Sequence, residues 1–239
     1  MKSLFAAILT LKNNKTILSG VVILILMSTA AQAQNDTLPS MRFGMKIQPA
    51  MGWLRSDTEG IESNGSEFRF TWGGMAEFKF GERYYFATGI DVSNRGGSIR
   101  QTVTQDSLTT ITDQNLKLKY IELPITLKLK TNEIGYLCYY LQFGLAPGFN
   151  FRSNADITTT TQISGNGPVT TKAEKVDVDD AINFFNLSLV IGLGAEYRFS
   201  GTTTLVGGLT YSNGFLDAAS DNNVTLNTNY LGLTVGVLF

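Results

Sequence analysis

The chain of 239 residues contains no histidine. That absence excludes Ser-His-Asp and Cys-His catalytic devices and histidine metal sites. Cysteine is nearly absent too: Cys138 stands alone, so no intramolecular disulfide can form. No excess of either charge exists, because 19 Lys and Arg face 20 Asp and Glu. With no basic run either, nucleic acid is not expected as a partner. Beyond the N-terminal region no apolar run reaches the roughly 20 residues that a spanning helix needs. Gly192-Leu193-Gly194 lies within an alternating segment with no helix behind it, so it is not a phosphate loop. Asp177, Asp179 and Asp180 cluster, but without the Gly and terminal Glu of a calcium loop they read as a solvated loop. Cys138 reads as a small packing residue. No catalytic residue, cofactor-binding residue or metal ligand is assigned, and no cofactor is expected.

What is present begins with an export signal. Lys2, Lys12 and Lys15 precede an apolar run ending at Met27, and Ala31-Gln32-Ala33 follows directly. Residues 1–33 therefore read as a cleavable secretory signal, and residues 34–239 as one mature domain. Lacking an acceptor cysteine just after the signal, the mature chain is not expected to be lipidated.

The mature chain repeats one pattern. Eight segments, approximately 43–54, 68–80, 84–95, 116–130, 137–152, 184–199, 203–214 and 229–239, alternate apolar and small or polar residues with a period of two. In a strand, successive side chains point to opposite faces. In the fifth segment Leu137, Tyr139, Leu141, Phe143 and Leu145 oppose Cys138, Tyr140, Gln142, Gly144 and Ala146. A helix of period 3.6 would scramble these sets. Most segments match or exceed the roughly 9 to 11 residues of a tilted membrane strand. The connections alternate as well: 81–83, 131–136 and 200–202 are tight, whereas 55–67, 96–115, 153–183 and 215–228 are long and polar. Outer-membrane barrels have short periplasmic turns and long outward loops. The expected fold is all-β, an eight-stranded antiparallel up-and-down transmembrane β-barrel in the cell outer membrane. Closure removes every open edge.

Under this reading the inward face receives Lys46, Arg69, Glu77, Lys79, Asp91, Arg95, Glu122, Lys128, Lys130, Arg152, Glu196 and Arg198. Eight strands leave an interior about wide enough for side chains alone, so charges of both signs read as an ion-paired plug. Glycines on that face make room for Tyr85, Tyr120 and Tyr140. Aromatics near strand ends, including Trp53, Phe68, Phe80, Tyr84, Tyr211, Tyr230 and Phe239, suggest interfacial girdles. Pro49, Pro124 and Pro147 cannot donate to a ladder, and a bulge or local irregularity is expected at each.

Three stretches carry a family resemblance. Lys119-Tyr120-Ile121-Glu122-Leu123-Pro124-Ile125-Thr126-Leu127-Lys128-Leu129-Lys130 resembles the Tyr-Leu-Glu-Ile-Pro-Leu-Leu-Leu-Lys motif of PorT-like outer-membrane β-barrel proteins of Bacteroidota. Leu141 to Gly148 and Gly192 to Tyr197 are similar to two further glycine-bearing strands of that family. The resemblance implies an eight-stranded outer-membrane barrel, inserted by the barrel-assembly machinery reading the C-terminal aromatic strand. It also implies a link, through the founding member, to protein secretion.

The leading functional expectation is a non-enzymatic outer-membrane barrel whose partners are membrane lipid and whatever its long loops contact outside. A subunit of secretion or transport machinery, with a secretion-system protein partner, is the second reading. A soluble exported barrel holding an apolar ligand is the third, and it would place the apolar residues inside and the charges outside.

Overall fold

The computed structural model describes residues 40–105, 108–163, 167–221 and 224–239. The signal expected at residues 1–33 lies outside the described residues. The described residues form twelve strands: β1 (Met41–Ser56), β2 (Ile61–Ser63), β3 (Glu67–Lys79), β4 (Tyr84–Arg95), β5 (Ser98–Gln105), β6 (Leu108–Glu122), β7 (Ile125–Lys130), β8 (Leu137–Ile163), β9 (Val169–Asp177), β10 (Phe185–Ser200), β11 (Thr203–Gly214) and β12 (Leu226–Leu238). Neighbours pair antiparallel in the order β1, β3, β4, β6 with β7, β8, β10, β11, β12. The last strand returns to the first, with Gly44 opposite Leu238 and Ser56 opposite Leu226. The eight-membered ring is thus closed, and β1 begins and β12 ends on the side of the short turns.

The wall alternates as the sequence requires. Met45, Ile47, Trp72, Ile90, Ile125, Phe143, Leu193, Leu209 and Leu233 are all exposed, Ile90 at 61 %. So broad an apolar exterior is the surface of a barrel that faces hydrocarbon. Charged residues occupy the opposite face, which is the reverse of what a soluble apolar-ligand barrel requires.

Two sequence expectations need correction. The segments 96–115 and 153–183 are not plain loops: β5, the first part of β6, the second part of β8, and β9 extend the wall beyond the ring as a loop-side sheet ordered β9, β8, β6, β5, β2. Their threonines are β-branched and favour extended backbone, and pairing satisfies amide groups that a loop would leave to water. Of the prolines, only Pro124 divides a strand, separating β6 from β7. Pro49 and Pro147 sit in unbroken register with Phe70 and Leu187. Pairing of β1 with β12 lapses at Gln48 and Pro49, and that of β8 with β6 and β7 lapses at Ala146 and Pro147, so each site has the expected local irregularity but not a bulge. Tyr230 is no girdle residue, being 6 % exposed and turned inward.

The true bulges lie elsewhere. Along β6 and β8, Lys119 faces Arg152 while Tyr120 faces Asn150, leaving Phe151 as an extra residue. A second shift occurs between Ala155 and Ile157 on β8, opposite Lys175 of β9, which has φ 53°. There Asp156 accepts from the Lys117 ammonium and, at 2.9 Å, from the Lys175 amide. Those two donors hold the Asp156 pKa below its ordinary value. A depressed folded-state pKa stabilises above the unfolded value, about 4, and its contribution is lost as pH falls through the folded value. The Lys175 amide is therefore expected to lose hydrogen-exchange protection as pH drops below about 4. In Asp156→Asn it should be weakly protected at every pH; a pH-independent wild type would contradict this.

Candidate functional site

Among the described residues, the interior is where the fold gathers charged groups away from water. Nearest the short turns, Arg42 of β1, Glu77 of β3, Lys128 and Lys130 of β7, and Glu196 of β10 meet at the barrel axis. The Arg42 guanidinium donates to Glu77 at 2.5 Å and to Glu196 at 2.8 Å. The Lys128 ammonium lies 2.5 Å from each carboxylate, and that of Lys130 lies 2.7 Å from each. Tyr85 and Tyr140 place their rings 4.0 Å from the Lys130 and Lys128 nitrogens, respectively. Three cations thus share two carboxylates, all five groups being nearly inaccessible. Charge-assisted bonds of this kind are strong only where geometry is complete, and four strands must hold register to complete it.

Gly194 of β10 and Gly208 of β11 are paired and flank the Tyr140 hydroxyl. A Cβ at Gly194 would come within 2.7 Å of that oxygen, and one at Gly208 would clash with it. This is how small inward residues admit the large ring.

Towards the loops comes a cavity of about 50 Å³ bordered by Lys46, Gln48, Asp91, Glu122, Lys128 and Tyr230. Lys46 and Asp91 pair at 2.8 Å. The other Asp91 oxygen and the Gln48 amide nitrogen have no protein partner, so the cavity is polar enough to hold water. Above it Arg95 grips Glu122 through two nitrogens, one contact being 2.8 Å. Arg95 also donates to the hydroxyls of Ser188 at 2.9 Å and Ser212 at 3.2 Å, and lies 4.8 Å from the Tyr230 ring centre.

The loop-side mouth is covered by an apolar cluster of Leu54, Ile99, Leu116, Leu118, Tyr120, Ala155, Ile182, Ala218, Ala219 and Leu226. Its members come from strand ends and from loops, so the cap joins segments distant in the chain. Arg69, at its edge, donates to Asn115 at 2.7 Å and to the Leu116 carbonyl at 2.9 Å.

Of the inward charges expected from alternation, Lys46, Arg69, Glu77, Asp91, Arg95, Glu122, Lys128, Lys130 and Glu196 point inward. Lys79 is exposed at its strand end, and Arg198 is half-exposed at the rim, 2.5 Å from Glu133. Arg152 is exposed on the outer wall because the bulge at Phe151 reverses the alternation. Arg42 is the residue the sequence reading missed. It shares parity with Lys46, and starting the first alternating segment one residue earlier would have found it. Asp177 and Asp179 are turn-forming: the Asp179 carboxylate accepts from the Ser153 amide, and that of Asp177 accepts from the Asp179 amide at 3.0 Å. Among the described residues no cluster of acidic, Cys or His side chains is arranged to hold a metal.

The profile of a family described as "Outer membrane protein beta-barrel domain" matches residues 31–220. Among solved structures, Neisserial surface protein A is 14 % identical, with 82 % of this chain and 96 % of that chain covered and a TM-score of 0.41. OprG from Pseudomonas aeruginosa is 9 % identical, covering 86 % and 99 %, with a TM-score of 0.43. The outer membrane protease OmpT from Escherichia coli is 10 % identical, covering 87 % and 99 %, with a TM-score of 0.37. No match was found among curated proteins.

Proposed function

Because the chain belongs to the outer membrane protein β-barrel domain family and is located in the outer membrane, we propose that it is a non-enzymatic barrel, closed to ions, whose loop-side sheet is its working surface. The observation that carries this reading is the interior itself. Five buried charged groups are bonded to one another across β1, β3, β7 and β10, with a bidentate pair and an apolar cap above them. An ion crossing would have to break several of these contacts and pass the cap. The non-enzymatic reading is supported by a chain without histidine and by interior carboxylates each engaged by at least one cation.

The sheet of β9, β8, β6, β5 and β2 extends outward under the rule that long connections face outside, and it offers threonine-rich strands to an external partner. Membership of the PorT-like branch fits the roles of the motif residues: Glu122 grips Arg95, Pro124 separates β6 from β7, and Lys128 and Lys130 build the axial cluster.

The test is electrical. The purified, folded barrel in a planar bilayer is expected to carry no steady porin-like current, whereas a stable open conductance would sink the closed-barrel reading.

A further inference from the structure

Register orders the outward side chains of the wall row by row. Val92, Ile121 and Phe149 are successive partners across β4, β6 and β8 and form the last apolar row that these three strands share on the loop side. The next outward row on the same strands is Asn94, Lys119 and Arg152. On β11 and β12 the equivalent polar step is the uncharged pair Asn213 and Asn229. Two cations therefore stand directly opposite each other just beyond the last apolar row shared by β4, β6 and β8. Opposed residues of an antiparallel pair have Cβ atoms about 4.5–5.5 Å apart, and like charges so placed repel.

Among the described residues no carboxylate pairs with either cation to relieve that repulsion. Arg55, Arg100 and Lys117 each hold a carboxylate, from Asp57, Asp113 and Asp156. Neither Lys119 nor Arg152 forms a side-chain hydrogen bond or ion pair among the described residues. Moreover, Arg152 reaches this row only through the bulge. Uninterrupted alternation would turn it inward with Asn150; the extra residue Phe151 instead exposes Arg152 and buries Ser153. Bulges characteristically re-aim a side chain.

We propose that Lys119 and Arg152 form a binding site for the phosphate of an anionic lipid of the outer leaflet. The guanidinium offers a planar fork matched to phosphate oxygens and the ammonium adds a second point charge. A bound phosphate converts a repulsive cross-strand pair into two attractive contacts. The site opens sideways onto the apolar wall, flanked by Ile121 and Phe151, which are 41 % and 51 % exposed. An anion carrying acyl chains is held by the cations and the wall together, whereas free phosphate is held by the cations alone.

The test uses the full folded barrel in detergent, with phosphatidic acid and phosphatidylcholine as probes and retained lipid read by native mass spectrometry. Wild type should retain phosphatidic acid over phosphatidylcholine. Lys119→Gln/Arg152→Gln should lose that preference about fivefold or more, while Lys172→Gln/Lys175→Gln, which removes equal charge from the exposed β9 hairpin, should keep it. Retention within about twofold of wild type in the first variant overturns the site. Displacement of the lipid by excess inorganic phosphate would reassign the site to free phosphate and overturn the lipid assignment; failure to displace it supports the lipid. Should the double variant fail to give the heat-sensitive gel mobility of a folded barrel, salt decides on wild type. Retention must fall towards 1 M salt, where the Debye length is about 3 Å, and a salt-independent preference overturns the proposal.

Discussion

Glu77→Gln is expected to destabilise the folded barrel by about 3–5 kcal/mol, the usual cost of removing one partner from a buried ion cluster. The substitution keeps the shape and removes the charge. Arg42, Lys128 and Lys130 are then left around Glu196 alone, three cations on one carboxylate among groups nearly inaccessible to bulk water. The uneven starting count makes a second, sharper expectation. Because the native cluster carries one cation more than it has carboxylates, Arg42→Gln should cost clearly less than Glu77→Gln, as it leaves two lysines with two carboxylates. Adding Lys128→Met to Glu77→Gln should restore part of the loss, giving a coupling energy of about 1–3 kcal/mol in a double-mutant cycle. Urea midpoints in detergent, followed by heat-sensitive gel mobility and circular dichroism, measure all three. If Glu77→Gln unfolds at the wild-type midpoint, or if Arg42→Gln is the worse of the two, the cluster does not hold the strands as its geometry implies.

Leu118→Asp should have a comparably large effect, confined to the other end. Leu118 is 1 % exposed within the apolar cap, among Leu54, Leu116 and Leu226. Its cross-strand partner Arg95 is already held by Glu122, Ser188 and Ser212, so a carboxylate there is buried without a cation of its own, at a cost of several kcal/mol. The cheaper response is for the cap to open. The ring strands do not depend on the cap for their ladders, so the barrel should retain its gel mobility while the connection 178–184 and residues 215–221, now detached from Ile99 and Leu118, become sensitive to protease added outside. Leu118→Ala should cost about 2–5 kcal/mol locally and give an intermediate cleavage rate. Loss of the entire barrel in Leu118→Asp, or cleavage no faster than wild type, would show that the cap and the ring are not separable in this way.

Alternation carried most of the architecture because it is a local property. Leu231, Leu233 and Val235 lie on one face of any extended strand whatever its neighbours, so the number of ring strands, the membrane-facing side and most of the inward set could be read from residue order alone. Polar, threonine-rich stretches defeated the same reading. Outside the membrane no apolar face is required, so β5, β9 and the outer halves of β6 and β8 lack the periodic signal although their backbones are fully paired.

Other outcomes depended on partners distant in the chain. Which carboxylate meets which cation is decided by the registers of β1, β3, β7 and β10 around a closed ring, and no spacing within one strand encodes that Glu77 and Glu196 converge on the same three cations. The cap is likewise built from segments as far apart as Leu54 and Leu226. Arg152 is the clearest case: its position in the sequence assigned it to the lumen, and one extra residue opposite Lys119 moved it to the lipid boundary. By itself the sequence determined the barrel, its membrane and the chemistry of each face, because a period of two follows from strand geometry. Only the tertiary structure decided ion pairing, mouth closure and the outward turn of Arg152, because these follow from inter-strand register and its single-residue shifts.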